Sequence, residues 1–137
     1  MNIEKIYSKI ETNKLISSII SLEDIGCYRT DISPDNEFLQ VSARNLKNIT
    51  SVKAHKHKPI IRKTTITQEA WIVYKGKIKA TIYDIDKTIL KEIIIVDGGC
   101  IVLYNGGHSL TSLEENTIFY EIKTGPYYGY ENDKEDI

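Results

Sequence analysis

The chain carries three histidines, His55, His57 and His108. Imidazole both moves protons near neutral pH and binds transition metals. His55 and His57 are two apart in a strand-like run, and side chains two apart on a strand face the same way. Two imidazoles therefore project together, as a chelating pair requires. Glu69 opens the run Glu69-Ala70-Trp71-Ile72-Val73-Tyr74-Lys75-Gly76 and shares the core-side face with Trp71 and Val73. A carboxylate turned toward a core is costly unless something pairs with it. A metal shared with the histidine pair is one such partner; an arginine such as Arg62 or Arg44 is another. Neighbouring Gln68 is the substitute ligand. His108 follows Asn105-Gly106-Gly107, a tight turn in which glycine permits positive φ and which can return a new strand beside the pair. Three imidazoles and one carboxylate suit a divalent transition metal such as Fe, Mn, Ni or Zn, and leave roughly two positions of a six-coordinate ion open for water, dioxygen or a bidentate substrate.

The elements that must position these groups are mostly short strands. Candidates are Glu37 to Lys47, Ser51 to His57, Ile60 to Thr67, Glu69 to Lys75, Lys77 to Asp84, Thr88 to Val96, Cys100 to Asn105, His108 to Leu113 and Thr117 to Lys123. Turn signals at Lys75-Gly76, Asp84-Ile85-Asp86, Asp97-Gly98-Gly99, Asn105-Gly106-Gly107 and Glu114-Glu115-Asn116 separate the later ones. Such spacing argues for an all-β sandwich or barrel. Before it, Ile3, Ile6, Tyr7, Ile10, Ile16, Ile19 and Ile20 recur at helical spacing, which predicts an α-helix within an N-terminal segment 1–26. That helix would pack on the barrel or reach a second subunit. The β region then spans 27–127, and a polar tail, expected to be mobile, spans 128–137.

The pattern resembles the cupin superfamily. Its first motif, Gly-x5-His-x-His-x3–4-Glu-x6-Gly, is approached by His55-Lys56-His57, Glu69 and Gly76. Here eleven residues, Lys58 to Gln68, separate the pair from Glu69, and the leading glycine is absent. The second motif, Gly-x5-Pro-x-Gly-x2-His-x3-Asn, is approached by Gly98-Gly99 and Asn105-Gly106-Gly107-His108, without its proline. The stretches from Gln68 to Asp84 and from Tyr120 to Tyr127 look like small cupins encoded in polysaccharide-biosynthesis loci. The resemblance implies a single double-stranded β-helix, or jelly-roll barrel, holding one metal on His55, His57, Glu69 and His108, and often a homodimer.

Composition narrows the partners. Lys and Arg number 18 against 19 Asp and Glu, a formal net charge of −1, which gives no electrostatic case for nucleic acid. Leu15-Ile16-Ser17-Ser18-Ile19-Ile20 is too short to span a bilayer, so a cytoplasmic protein is expected, with Cys27 and Cys100 as free thiols. A small molecule, such as a sugar or sugar nucleotide, is the expected ligand. Arg62 on the long hairpin can meet an anionic group, Gln40 can line the barrel mouth, and Tyr120, alternating with Ile118 and Ile122, points inward; Glu121 faces outward. Two functions follow. One is a metal-dependent enzyme, an oxygenase or isomerase. The other is a non-catalytic binding module, or a metal-free sugar-nucleotide isomerase using His55 or His57 with Tyr120.

Overall fold

The computed structural model describes residues 2–137. Its strands are β1 (Glu4–Tyr7), β2 (Leu15–Ile20), β3 (Thr30–Asp31), β4 (Ser42–Ala43), β5 (Glu69–Lys75), β6 (Lys77–Tyr83), β7 (Ile89–Val96), β8 (Cys100–Leu103), β9 (Gly107–Ser112) and β10 (Ile118–Lys123). They form a five-stranded sheet in the order β1-β2-β8-β5-β10, a three-stranded sheet β7-β6-β9 and a two-stranded ribbon β3-β4, with antiparallel pairing throughout. The expected all-β class is therefore found, with the two larger sheets open rather than closed into a barrel.

The main core lies between these sheets. Ile16, Ile19, Trp71, Val73, Ile101 and Leu103 from the larger sheet meet Ile78, Ala80, Ile82 and Ile95 from the smaller. Strand alternation sets inward residues two apart in β5, β6 and β8, whereas Ile16 and Ile19 of β2 are three apart. A second cluster, with Leu15, Ile20, Ile32, Val102 and the fully buried Tyr104, covers the other face of the larger sheet. The segment from Ile25 to Ala43 supplies its lid, and the Tyr104 hydroxyl lies 3.2 Å from Ser33 Oγ.

The N-terminal segment departs from expectation. Residues expected to be helical form the antiparallel pair β1–β2. Isoleucine spacing matched a helix only by coincidence. β2 is buried along its whole length, and apolar residues at both odd and even positions are also what a strand covered on both faces requires. Its β-branched isoleucines favour that state. The turn between the strands is fastened by Ser8, whose Oγ accepts from the Ile10 and Glu11 amides at 3.0 Å, and by Asp84, whose Oδ2 accepts from the Lys9 amide at 2.7 Å.

The later strands fall where the alternation and turn residues predict them. The earlier candidates do not: of Glu37 to Lys47 only Ser42–Ala43 is strand, and Ser51 to His57 and Ile60 to Thr67 lie in a long exposed segment without regular structure. Strand propensity is realised only where a partner edge and a covering surface are present.

Candidate functional site

β5 delivers Glu69, Trp71 and Val73 to its inner face, as alternation dictates, and all three are buried. Glu69 is 4% exposed. Its Oε1 accepts the Trp71 indole N–H at 2.5 Å. β10 runs antiparallel beside it with Lys123 opposite Glu69 and Glu121 opposite Trp71, so these two polar side chains join the same face. Lys123 Nζ lies 2.9 Å from Glu121 Oε1.

His108 arrives from the other sheet. At Gly106 the backbone takes φ +68°, and a Cβ there would run into the Tyr83 carbonyl; only glycine makes this turn without strain. Two residues later His108 sits opposite Ile82 on β9. Its ring lies edge-on to Trp71, with centroids 5.3 Å apart and planes at 83°. Its Nε2 is 3.7 Å from Glu69 Oε2, too long for a direct hydrogen bond.

Burial disfavours the charged form of both groups. Burial raises the Glu69 pKa; the Trp71 bond opposes that, and nearby Glu121 reinforces it. Burial lowers the His108 pKa, and Lys134 adds to the effect. Glu121 is lowered, first by its bond to Lys123. One carboxyl inclined to keep its proton thus sits beside one inclined to lose it, facing a neutral imidazole. Such an arrangement can donate, accept and relay protons.

These groups open onto a cleft of about 860 Å³. Trp71, Glu69 and Glu121 form one wall, and Gly107 to Leu110 of β9 form another. The tail expected to be mobile supplies a third. Tyr130 to Asp133 form a single helical turn. Asp133 Oδ1 accepts from Thr67 Oγ1 at 2.7 Å, the Lys87 ammonium lies 3.3 Å from the Asp136 carbonyl, and Ile137 rests against Gly107.

Of the residues expected in the site, Glu69 and His108 come together. His55 and His57 form a pair of their own, with ring centroids 5.5 Å apart, on the exposed segment; His55 Nδ1 is 3.0 Å from the Lys53 carbonyl. Arg62 is exposed on that segment too. Gln40 is held in its own loop, donating to the Pro34 and Glu37 carbonyls at 2.8 and 2.6 Å. Tyr120 is 60% exposed on the outer face, against Tyr74. Gln68, the substitute ligand, is buried on the other side of β5, accepting from the Leu39 amide and donating to Glu37. Sequence reasoning missed Glu121, which it placed outward. Ile118, Tyr120 and Ile122 do alternate together, but on the exposed outer face, and the register sets Phe119, Glu121 and Lys123 opposite Val73, Trp71 and Glu69 on the inner one.

A metal can be tested against this donor set. Bonds of about 2.1 Å to Glu69 Oε2 and His108 Nε2 would span their 3.7 Å separation at an open angle, so the two suit one cation. Catalytic centres keep about three protein ligands. Among the described residues no group of three or more His, Cys, Asp or Glu is placed to hold an ion. The expected set of His55, His57, Glu69 and His108 is therefore not assembled in this conformation. Among the described residues no helix is long and apolar enough to cross a membrane. Comparison with known proteins gave no matching family model, no similar curated protein and no similar solved structure.

Proposed function

We propose that the chain is a cupin-like protein that binds a small hydroxylated molecule, of the sugar class, in the cleft between its two large sheets, and that Glu69, Glu121 and His108 handle that ligand's protons. The observation carrying this reading is the inward placement of a nearly dry carboxyl and a neutral imidazole 3.7 Å apart on facing sheets, at the edge of a roomy cleft. Ligand sites combine apolar walls with a few convergent polar groups, and Trp71, Leu110 and Ile85 give that apolar contact here. Hydroxyl groups both donate and accept, which matches a site offering two carboxyl groups, one shifted up and one shifted down in pKa, and an imidazole. The reaction such a set suits is proton transfer at a hydroxyl-bearing carbon, as in an isomerase.

The test is calorimetric titration of the purified chain with a panel of sugars, sugar phosphates and nucleotide sugars. A ligand should bind to the wild type, and Glu69→Gln and His108→Gln should each weaken it at least about tenfold, the loss of one or two charge-assisted or buried hydrogen bonds. Binding that survives both substitutions sinks the assignment. A second reading, a metal protein, is favoured by the same 3.7 Å donor separation. Elemental analysis decides it: one Fe, Mn, Ni or Zn per chain, lost in both His108→Gln and His55→Ala, would establish that reading over the metal-free one.

A further inference from the structure

We propose that residues 47–66 are a strap that closes the cleft by adding a strand to the free edge of β9. The segment is unlike the rest of the chain. From Phe38 to Gln68 there are seven basic residues and no acidic one, so all nineteen carboxylate side chains lie elsewhere. Lys14, Arg29, Lys77, Lys79, Lys87, Lys91 and Lys123 each pair with an acid. Among the described residues, Lys53, Lys56, Lys58, Arg62 and Lys63 make no ion pair. The segment also leaves apolar side chains in water: Ile49, Val52, Ile60 and Ile61 are 106, 70, 65 and 88% exposed. A connection of this length without structure is uncommon inside a compact domain and is often a lid.

Its root lies at the cleft. Ile66 and Thr67 are part of the wall, so the strap leaves from the rim it would cover. The cleft is acidic: Glu69, Asp84, Glu121, Asp133, Glu135 and Asp136 line it against Lys87 and Lys134. The surface to be covered and the strap thus carry opposite charge. An exposed edge supplies the docking site. Among the described residues β9 pairs with β6 alone, and four consecutive β9 residues, Gly107 to Leu110, form the cleft wall. Unpaired edge groups invite another strand. In extended form Ser51 to His57 carries Lys53, His55 and His57 on one face, and pairing with β9 would turn that face to the carboxylates. At about 3.3 Å per residue, Ile61 reaches roughly 20 Å from Thr67, enough to cross the mouth. Closure stands whether or not the cleft takes a ligand.

Hydrogen exchange on the full chain at low and at about 1 M salt tests this, since salt of that strength screens charges beyond about 3 Å. At low salt the amides of 51–57 and those of β9 not bonded to β6 should exchange at least about tenfold slower than free peptide, a mostly closed strap. High salt, or the combined reversal Lys53→Glu, Lys56→Glu, Lys58→Glu, Arg62→Glu and Lys63→Glu, should remove most of that protection while β5 and β8 stay protected. Val52→Pro leaves the charge intact and removes a ladder donor; it should open the strap as well. Free-peptide rates at low salt overturn the proposal. So does protection that survives Val52→Pro, that grows with protein concentration alongside a dimer mass, or that appears only with anionic lipid vesicles.

Discussion

Replacing Glu69 with glutamine should make the protein more stable and its cleft less able to bind. The carboxyl is 4% exposed, and its bonded donor is the Trp71 indole at 2.5 Å. The Lys123 ammonium, whose charge opposes the upward shift of Glu69, is engaged by Glu121. Glutamine keeps an acceptor for the indole; exchanging a charged for a neutral acceptor costs about 1 kcal/mol. Against that stands the desolvation of a carboxylate without a bonded cation, several kcal/mol, raised further by Glu121. The balance is a gain of about 1–3 kcal/mol at pH 7, a rise of about 3–10 °C in Tm for a domain of this size. The sign with pH follows from the raised pKa. A carboxyl whose folded pKa exceeds its unfolded one favours folding while protonated, and that contribution is lost as pH rises through the folded value. Wild type and variant should therefore be equally stable below about pH 4 and diverge as pH climbs. Urea unfolding followed by far-UV circular dichroism between pH 4 and about 8.5 measures the gap. A variant less stable than wild type at pH 7, or a gap indifferent to pH, would refute the account of Glu69 as an uncompensated buried acid.

Two further outcomes are expected. Ser17 is fully buried, and among the described residues its hydroxyl has no hydrogen-bond partner, so Ser17→Ala should stabilise by about 1 kcal/mol by removing a desolvated, unpaired group; a lower urea midpoint would mean the hydroxyl is bonded after all. Cys27 is exposed, whereas Cys100 is buried and pushed up to about 12; since the thiolate is the nucleophile, mass spectrometry after native alkylation should find one modified thiol, with the second only in denaturant, and two native modifications would contradict the burial of Cys100.

Much of the β region was legible because its signals are local. Alternation from Glu69 to Val73 and the glycines at 76 and 106 set strand faces and turns without help from the rest of the chain. The face shared by Glu69 and Trp71 and the position of His108 after its turn follow from those rules alone. What failed depended on distant partners. A strand buried on both faces has no alternation to read, so Leu15–Ile20 passed for part of a helix. In β10 the apolar residues Ile118, Tyr120 and Ile122 lie on the exposed face, so reading polarity as depth reversed the faces assigned to Tyr120 and Glu121, and only the register against β5 fixes which face is inward. His55 and His57 share a face by local geometry, but no local rule names the edge against which that face must lie.

The pairing of β2 with β8 sets Ser17 opposite Leu103 and Ile20 opposite Cys100. During synthesis the apolar run Leu15–Ile20 must therefore emerge and wait until more than half the protein has been made before its neighbour exists. β1 can shield one edge in the meantime, but two strands alone are marginal in water. Assembly of the larger sheet is then a late event, slow by virtue of its non-local closure, and the newborn chain is most prone to self-association in the interval when this stretch lies bare.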